Sequence, residues 1–155
     1  MPKFAANLTM LFTEHAFLDR FDHAAKAGFK AVEFLFPYAF NPGEIKRRLD
    51  ANGLQLVLHN LPAGDWAKGE RGIACHPDRI GEFQAGVGKA IEYATALGCK
   101  QVNCLAGIVP SGITQAAGVA RFVNLSVVWG PSFQDRPGFE WVRGLLAASR
   151  DREWL

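Results

Sequence analysis

The feature that most constrains the fold is a short pattern that occurs three times in the chain. A glycine is followed by alternating apolar and polar residues and then by a short strand-like run with valine four positions after the glycine. Each copy follows a helix-like stretch, and a glycine at that point ends a helix because it readily adopts left-handed backbone angles. Short apolar runs are typical of parallel strands that are buried on both faces. The three glycine–valine pairs are Gly28 and Val32, Gly53 and Val57, and Gly98 and Val102.

Helices are predicted before each of these glycines. Thr13 would cap a helix over residues 14–27, and Asn41-Pro42 would cap a helix that ends at Gly53. A third helix is predicted over residues 78–97, and a first strand over residues 4–8. Alternation of this kind predicts an α/β fold with right-handed crossovers. The third helix would face inward with Ile80, Phe83, Val87, Ile91, Ala94 and Leu97.

The length limits how much of a barrel the chain can form. A complete eight-stranded (β/α) barrel usually needs about 250 residues, and this chain has 155. Residues 1–112 are therefore predicted to form part of a TIM-type barrel, with four parallel strands and helices. Residues 113–155 are treated as a divergent tail, because no lysine follows Lys100 and five arginines lie in this segment. A strand over residues 125–129 and a short helix over residues 141–149 are expected there.

Charge and cysteine content exclude several classes of partner. The formal net charge is +2, and the densest basic cluster is Lys46-Arg47-Arg48, which is too small for a phosphate-binding stripe. No nucleic-acid partner is expected. The three cysteines contain no CxxC pair, so buried reduced thiols are expected. Because the chain shows neither a secretory signal nor an 18-residue apolar segment, we expect a cytoplasmic protein without a membrane partner.

Polar residues stand where the predicted strands end, which is where parallel α/β folds place their function. These residues are Asn7, Glu33, His59, Asn60 and Asn103. Glu33 lies in an apolar run, where a carboxylate is costly unless it lines a polar site or is paired. Glu33 is thus either a pocket residue or a structural acid. His59 is either a proton carrier or pocket donor, or a satisfied core histidine.

The loop over residues 61–72 follows a strand end and mixes rigid, flexible, aromatic and charged residues. Loops of this composition often cover a small-molecule site. Trp66 could form an apolar wall, and Arg71 could bind a substrate carboxylate through two hydrogen bonds. The alternative is an ordered Ω-loop with an internal pairing of Glu70 with Arg71 or of Asp65 with Lys68.

Other motifs are missing from the sequence. It contains no phosphate-binding, dinucleotide-binding, HExxH or GxSxG motif, and Gly81, Gly86 and Gly88 are expected to be close-packing positions on the third helix. His15 and His23 are eight residues apart, a spacing that favours no shared metal on one helix. A metal site in this chain is therefore not predicted.

Several segments of the chain resemble the hydroxypyruvate isomerase family, which includes the 2-oxo-tetronate isomerases among the xylose-isomerase-like TIM barrels. The resemblance is nearly free of gaps over residues 3–107. Its most specific motif is Asn60-Leu-Pro-Ala-Gly-Asp-Trp-Ala-Lys-Gly-Glu-Arg-Gly72. Further segments are Asn7-Leu-Thr-Met-Leu-Phe12, Val32-Glu-Phe-Leu-Phe-Pro-Tyr38 and Asn103-Cys-Leu-Ala-Gly107.

The resemblance implies interconversion of hydroxypyruvate and tartronate semialdehyde, or of related hydroxy-oxo acids, through an enediolate. Family members use two glutamates and a divalent metal from strands five to eight. Here Trp129 stands where one glutamate is expected, so no catalytic residue and no metal ligand is carried over to this chain. The divalent metal is expected for full-length members only. The substrate-binding residues implied for this chain are Asn7, Glu33, His59, Asn60, Trp66, Glu70 and Arg71.

Two interpretations of function follow. The chain is a truncated isomerase with little or no activity, or it is a non-catalytic module that binds a small hydroxy-oxo acid or associates with other chains, with homo-oligomerisation through an exposed sheet edge. A frameshifted or alternatively spliced tail would explain the composition after residue 112. Apurinic-endonuclease-like chemistry on the same barrel is not favoured, because its metal-binding histidines are not visible in the sequence.

Overall fold

The glycine of each repeated pattern ends a helix, as predicted. In the computed structural model, which describes residues 2–119, the helices are α1 (Arg20–Lys26), α2 (Pro42–Ala51) and α3 (Ile80–Leu97). The three glycines that follow have φ angles of +93°, +59° and +66°. A strand follows each glycine, namely β2 (Ala31–Glu33), β3 (Gln55–Asn60) and β4 (Val102–Asn103).

The strands form one parallel sheet in sequence order. β1 (Ala6–Asn7) pairs with β2, β2 with β3, and β3 with β4. Val32 pairs with Leu56 but Glu33 pairs with Leu58, so β3 carries one extra residue, Val57, at this point. This sheet and its helices confirm the predicted α/β fold with four parallel strands.

The core lies between one face of the sheet and the helices. Strand residues such as Ala6, Val32 and Leu56 are buried together with residues of the helices. Because strand side chains alternate between faces, Asn7 and Glu33 lie on the opposite face. The helix residues that complete this core include Phe21, Ala24, Ile45, Leu49, Tyr93 and Leu97.

The first helix is shorter than predicted. It begins at Arg20 after a 3₁₀ turn over Phe17–Asp19, and Thr13 does not cap it. Phe12 has a left-handed φ of +60° and Ala16 is extended, so a continuous helix cannot start before this turn. Arg20 also donates hydrogen bonds to the carbonyls of Leu8 and His15, which holds the chain before the turn in a loop.

That loop brings together two histidines that a continuous helix would separate. The rings of His15 and His23 stack with centroids 3.5 Å apart and an interplanar angle of 7°. The expectation from sequence spacing, two helical turns of separation, was therefore wrong for this pair.

The second helix begins as predicted. The Asn41 side chain accepts a hydrogen bond from the Gly43 backbone N–H at 2.8 Å, Pro42 occupies the first turn, and Ile45 and Leu49 are buried. These contacts confirm the cap and the inward face.

The third helix buries only part of the predicted face. It begins at Ile80 after a 3₁₀ turn over Pro77–Arg79. Ile80 and Ile91 are 42% and 53% exposed, which contradicts their predicted inward positions. The prediction is confirmed for Phe83, Val87 and Leu97, and the buried stripe also contains Ala90 and Tyr93.

The buried face of α3 also decides which of its glycines is a close-packing position. A Cβ at Gly86 would lie 3.4 Å from Pro62 Cγ, whereas Cβ atoms at Gly81 and Gly88 would meet nothing within 4 Å. The prediction of a close-packing position is thus confirmed for Gly86 and wrong for Gly81 and Gly88.

The described chain divides into two compact units. One contains residues 2–63 and 81–105, including the sheet, and the other contains residues 64–80 and 106–119. In the second unit Gly72 and Ala106 form an antiparallel bridge, and residues 115–119 are helical. The strand and helix predicted over residues 125–129 and 141–149 lie outside the described residues, and the predicted boundary at residue 112 stays a prediction.

The cysteines are free thiols, and the predicted burial is confirmed for Cys75 and Cys99 but not for Cys104, which is half-buried. Cys75 and Cys99 are buried, and burial raises the pKa of each thiol, as it raises that of Cys104 to about 11. Within residues 2–119, no helix combines the length and the apolar character needed to cross a membrane.

Candidate functional site

A polar pair joins the ends of the first two strands. Asn7 Nδ2 donates to Glu33 Oε1 at 3.0 Å, across the paired ends of β1 and β2. The side-chain oxygen of Asn7 accepts from the Thr9 backbone N–H, and Thr9 Oγ1 accepts from the Leu35 backbone N–H. Glu33 therefore has a hydrogen-bond partner and lies at the polar end of a strand, which agrees with both interpretations from the sequence.

A second polar pair joins the ends of the next two strands. Asn103 Nδ2 donates to Asn60 Oδ1 at 3.0 Å, and the Leu61 backbone N–H donates to the Asn103 carbonyl. Asn60 is only 4% exposed, whereas Asn103 is exposed. The two pairs stand at the carboxyl ends of four neighbouring strands, where the sequence predicted function.

His59 faces away from these pairs. It is fully buried, and its ring lies 6.2 Å from that of Tyr38, which in turn lies 5.1 Å from the ring of Tyr93 in α3. Tyr38 donates to the Asn60 backbone carbonyl at 2.5 Å, and His59 Nδ1 lies 3.3 Å from the same oxygen. His59 thus packs on the helix side of the sheet.

Burial affects the protonation of both rings. Loss of hydration lowers the pKa of His59 from its usual 6.5, opposed in part by the hydrogen bond to the Asn60 carbonyl. Burial, with a smaller effect of Tyr93, raises the pKa of Tyr38 far above its usual 10. At neutral pH the His59 ring is therefore uncharged, and the Tyr38 hydroxyl keeps its proton and acts as a hydrogen-bond donor.

Glu70 holds the loop of the second unit together through hydrogen bonds to other residues of that unit. Glu70 accepts from the Asp65 backbone N–H and from Arg79, each at 2.5 Å, and these contacts, that of Arg79 first, lower the pKa of Glu70. Asp65 pairs with Lys68 at 2.9 Å. Of the two internal pairings considered for an Ω-loop, the one between Asp65 and Lys68 forms, whereas Glu70 pairs with Arg79 and not with Arg71.

Arg71 and Trp66 form a stacked pair in the same unit. The guanidinium carbon of Arg71 lies 4.0 Å from the centroid of the Trp66 ring, and Arg71 Nη1 donates to the carbonyls of Trp66 and Glu70. Both side chains are exposed. An exposed guanidinium carries further N–H donors, which a carboxylate can bind.

The described residues do not assemble a metal centre. Across residues 2–119, no three histidine, cysteine, aspartate or glutamate side chains converge in an arrangement that could hold a metal ion. The divalent metal expected for full-length family members therefore does not fit the residues described here.

Tyr38 and Thr9 are the polar residues of this region that sequence reasoning missed. Tyr38 directly follows the apolar run after Glu33, and a tyrosine in such a place needs a partner for its hydroxyl group. That signal could have pointed to a buried hydrogen bond, although not to Asn60 as its acceptor.

Comparison with known proteins gives consistent matches. A family model described as xylose isomerase-like TIM barrel matches residues 21–125. Hydroxypyruvate isomerase of Escherichia coli is 57% identical over 114 residues, which are 74% of this chain and 44% of that protein. A 2-oxo-tetronate isomerase of Cupriavidus necator is 52% identical over 80% of this chain and 48% of its own length.

A solved structure has the same fold. A crystal structure of an AP endonuclease, family 2, from Brucella melitensis gives a TM-score of 0.77 at 41% identity, over 96% of this chain and 52% of that one. The chain spans about half the length of the curated relatives it matches.

Proposed function

The chain belongs to the xylose isomerase-like TIM barrel family, and from that premise we propose that it binds a small hydroxy-oxo acid, such as hydroxypyruvate, at the carboxyl ends of its four strands. The observation that carries this proposal is the pair of hydrogen-bonded couples, Asn7–Glu33 and Asn60–Asn103, at neighbouring strand ends. The similarity to proteins named hydroxypyruvate isomerase and 2-oxo-tetronate isomerase supports the class of ligand.

The donor and acceptor inventory of these couples suits such a ligand. Each asparagine amide has two N–H donors, and one donor of Asn7 and one of Asn103 are used within the couples. The remaining donors can bind a carboxylate or a carbonyl oxygen, and the carboxylate of Glu33 can accept from a hydroxyl group. A hydroxy-oxo acid offers all three of these groups.

The loop of the second unit carries a separate proposed binding group. We assign Arg71, held by Trp66 and by two loop carbonyls, as a binding group for a carboxylate. Glu70 keeps the loop closed through Asp65 and Arg79 and is a positioning residue for Arg71.

Catalysis is proposed to be weak or absent in this chain. Enediolate chemistry needs a base next to the carbonyl and an electrophile for the developing oxyanion. Glu33 is engaged by Asn7, and the described residues gather no metal ligands. We therefore propose binding without appreciable isomerisation, and no divalent metal bound by residues 2–119. Calorimetric titration with Mn²⁺ should show no heat of binding, and saturable binding would contradict this part.

The binding proposal is tested by titrating hydroxypyruvate into the ¹⁵N-labelled chain. Saturable shifts are expected at the side-chain amides of Asn7, Asn60 and Asn103. Asn7→Ala should weaken binding by about tenfold, because it removes one hydrogen bond to a charged ligand. Asn52→Ala, at the end of α2, is the matched control because its amide bonds to Asp22 of α1, and it should bind like the parent chain. Equal binding by both variants would refute the site.

Self-association is the second candidate function. Within residues 2–119, β1 and β4 each have one unpaired edge, and Phe4 and Met10 beside β1 are 73% and 69% exposed. Sedimentation equilibrium should then show a dimer, and replacing both Phe4 and Met10 with serine should shift it towards monomer. Ile91→Ser, at an exposed apolar residue of α3, is the control. A monomer at all concentrations would exclude this candidate.

A further inference from the structure

His59 has one buried polar atom whose role the candidate site does not explain. Its side chain is fully buried, and its Nε2 has no hydrogen-bond partner among the described residues. An unpaired buried polar atom loses its hydrogen bonds to water without replacement, so few are found in folded proteins. A histidine at this position needs a reason other than packing, because an apolar ring would fill the space at lower cost.

The contacts of the other ring nitrogen fix the tautomer. Nδ1 lies 3.3 Å from the Asn60 carbonyl oxygen and 3.4 Å from the Tyr38 hydroxyl oxygen. The single hydroxyl proton of Tyr38 is already donated to the same carbonyl. Nδ1 therefore faces two oxygens with lone pairs and is stabilised there only as an N–H donor. The proton of the neutral ring thus lies on Nδ1 and the bare lone pair on Nε2.

The two rings share one target. Both Tyr38 and His59 direct a donor at the Asn60 carbonyl, on the helix side of the sheet. The Asn60 backbone N–H donates to Leu35, and the Asn60 side chain points to the other face, where it accepts from Asn103. Any rotation of the Asn60 peptide would move this side chain.

We propose that His59, as its Nδ1–H tautomer, is a positioning residue that acts with Tyr38 to fix the Asn60 peptide and so to orient the Asn60–Asn103 couple for ligand binding. The ligand part of this inference rests on the proposed function. The geometry itself, a buried ring whose one donor is aimed at the backbone of a site residue, does not depend on it. His59 does not touch the ligand.

The tautomer is tested directly on the full chain. Long-range ¹H–¹⁵N correlation spectra at about pH 8, where imidazole rings are neutral, should show a protonated Nδ1 and an unprotonated Nε2 for His59. The reverse pattern would overturn the inference. This measurement needs no variant and no ligand.

A matched pair of substitutions tests the positioning role. In His59→Asn the side-chain amide nitrogen takes the place of Nδ1 and keeps the donor, whereas in His59→Gln it takes the place of Nε2 and loses the contact. We expect His59→Asn to bind hydroxypyruvate within about twofold of the parent chain and His59→Gln about tenfold more weakly. A purely structural role would lower the thermal stability of both without separating their affinities, and that result would refute the proposal.

The outcomes distinguish this inference from the binding proposal. If the parent chain binds no hydroxypyruvate, the proposed function fails, and the positioning of Asn60 is then judged by its side-chain amide resonances. They should keep their parent positions in His59→Asn and move in His59→Gln. Unchanged resonances in both variants would overturn the inference even if hydroxypyruvate binds.

Discussion

The uncharged state of His59 couples the stability of the fold to pH. Burial lowers the pKa of this ring below its usual 6.5, so the unfolded chain binds a proton at a higher pH than the folded chain does. The stabilisation is complete above the unfolded pKa and is lost as the pH falls from 6.5 towards the folded pKa. Protonation would also give Nε2 a proton with no acceptor among the described residues.

Chemical denaturation across this range should measure the effect. The free energy of unfolding should fall as the pH drops below about 6.5, and His59→Asn should remove much of this slope. Because His15, His23 and His76 are unchanged in the variant, they serve as an internal control. An identical slope in both proteins would show that His59 does not titrate as its burial requires.

Individual site residues could be placed from sequence only up to a point. Asn7, Glu33, His59 and Asn60 stand at strand ends, as the pattern predicted, because strand ends follow from apolar runs and glycine stops. The partner of His59 could not be predicted in this way, since Tyr38 lies 21 residues before it and meets it only through the sheet. The partner of Glu70, Arg79, was missed because it lies beyond the loop that the motif defines.

At the scale of the element, the glycine that ends α2 makes a specific stability prediction. Gly53 has a φ of +59°, and a Cβ there would meet nothing within 4 Å. Gly53→Ala should therefore lower the free energy of unfolding by about 1–2 kcal/mol through backbone strain alone. Thermal or urea denaturation followed by circular dichroism measures this change.

The exposed face of α3 offers a control of opposite sign. A methyl group added at Gly88 would meet nothing within 4 Å, and this glycine lies inside a helix. Alanine is preferred over glycine there by about 0.5–1 kcal/mol. Gly88→Ala should therefore stabilise the chain. If both alanine variants moved the stability in the same direction, the backbone explanation of the repeated glycines would be wrong.

Elements differ in how well their sequences define them. The Asn41 cap and the glycine at position 53 define where α2 begins and ends, and its bounds agree with the prediction. The segment before α1 has a good cap candidate in Thr13, but the left-handed Phe12 and the hydrogen bonds of Arg20 override it. Tertiary contacts of this kind leave no periodic signal in the sequence.

For the whole molecule, the central prediction concerns catalysis. The purified chain should convert hydroxypyruvate to tartronate semialdehyde no faster than a Glu33→Gln variant, since no base–metal pair is assembled within residues 2–119. An enzyme-coupled assay for the product measures this rate. Turnover clearly above that of the variant would show that the chain is an active isomerase.

The fold class of the described part of the chain was predictable because alternating helices and strands repeat along the sequence. The division into units of residues 2–63 with 81–105 and of residues 64–80 with 106–119 was not. Within the second unit a bridge joins Gly72 and Ala106, two residues far apart in sequence without a shared pattern. Long-range pairings of this kind are set by three-dimensional packing.

The extra residue in β3 shifts the alternation of side chains between the two faces of the sheet. Val57 lies between the residues that pair with Val32 and Glu33, so strict alternation counted from Leu56 would exchange the faces of His59 and Asn60. A chain that lacked Val57 would keep both orientations, because Leu58 would still pair with Glu33. Tolerance to a change of length should therefore depend on where in the strand it falls: a deletion at Val57 keeps the faces of His59 and Asn60, so a copy of this sheet grafted into another scaffold does not need the extra residue.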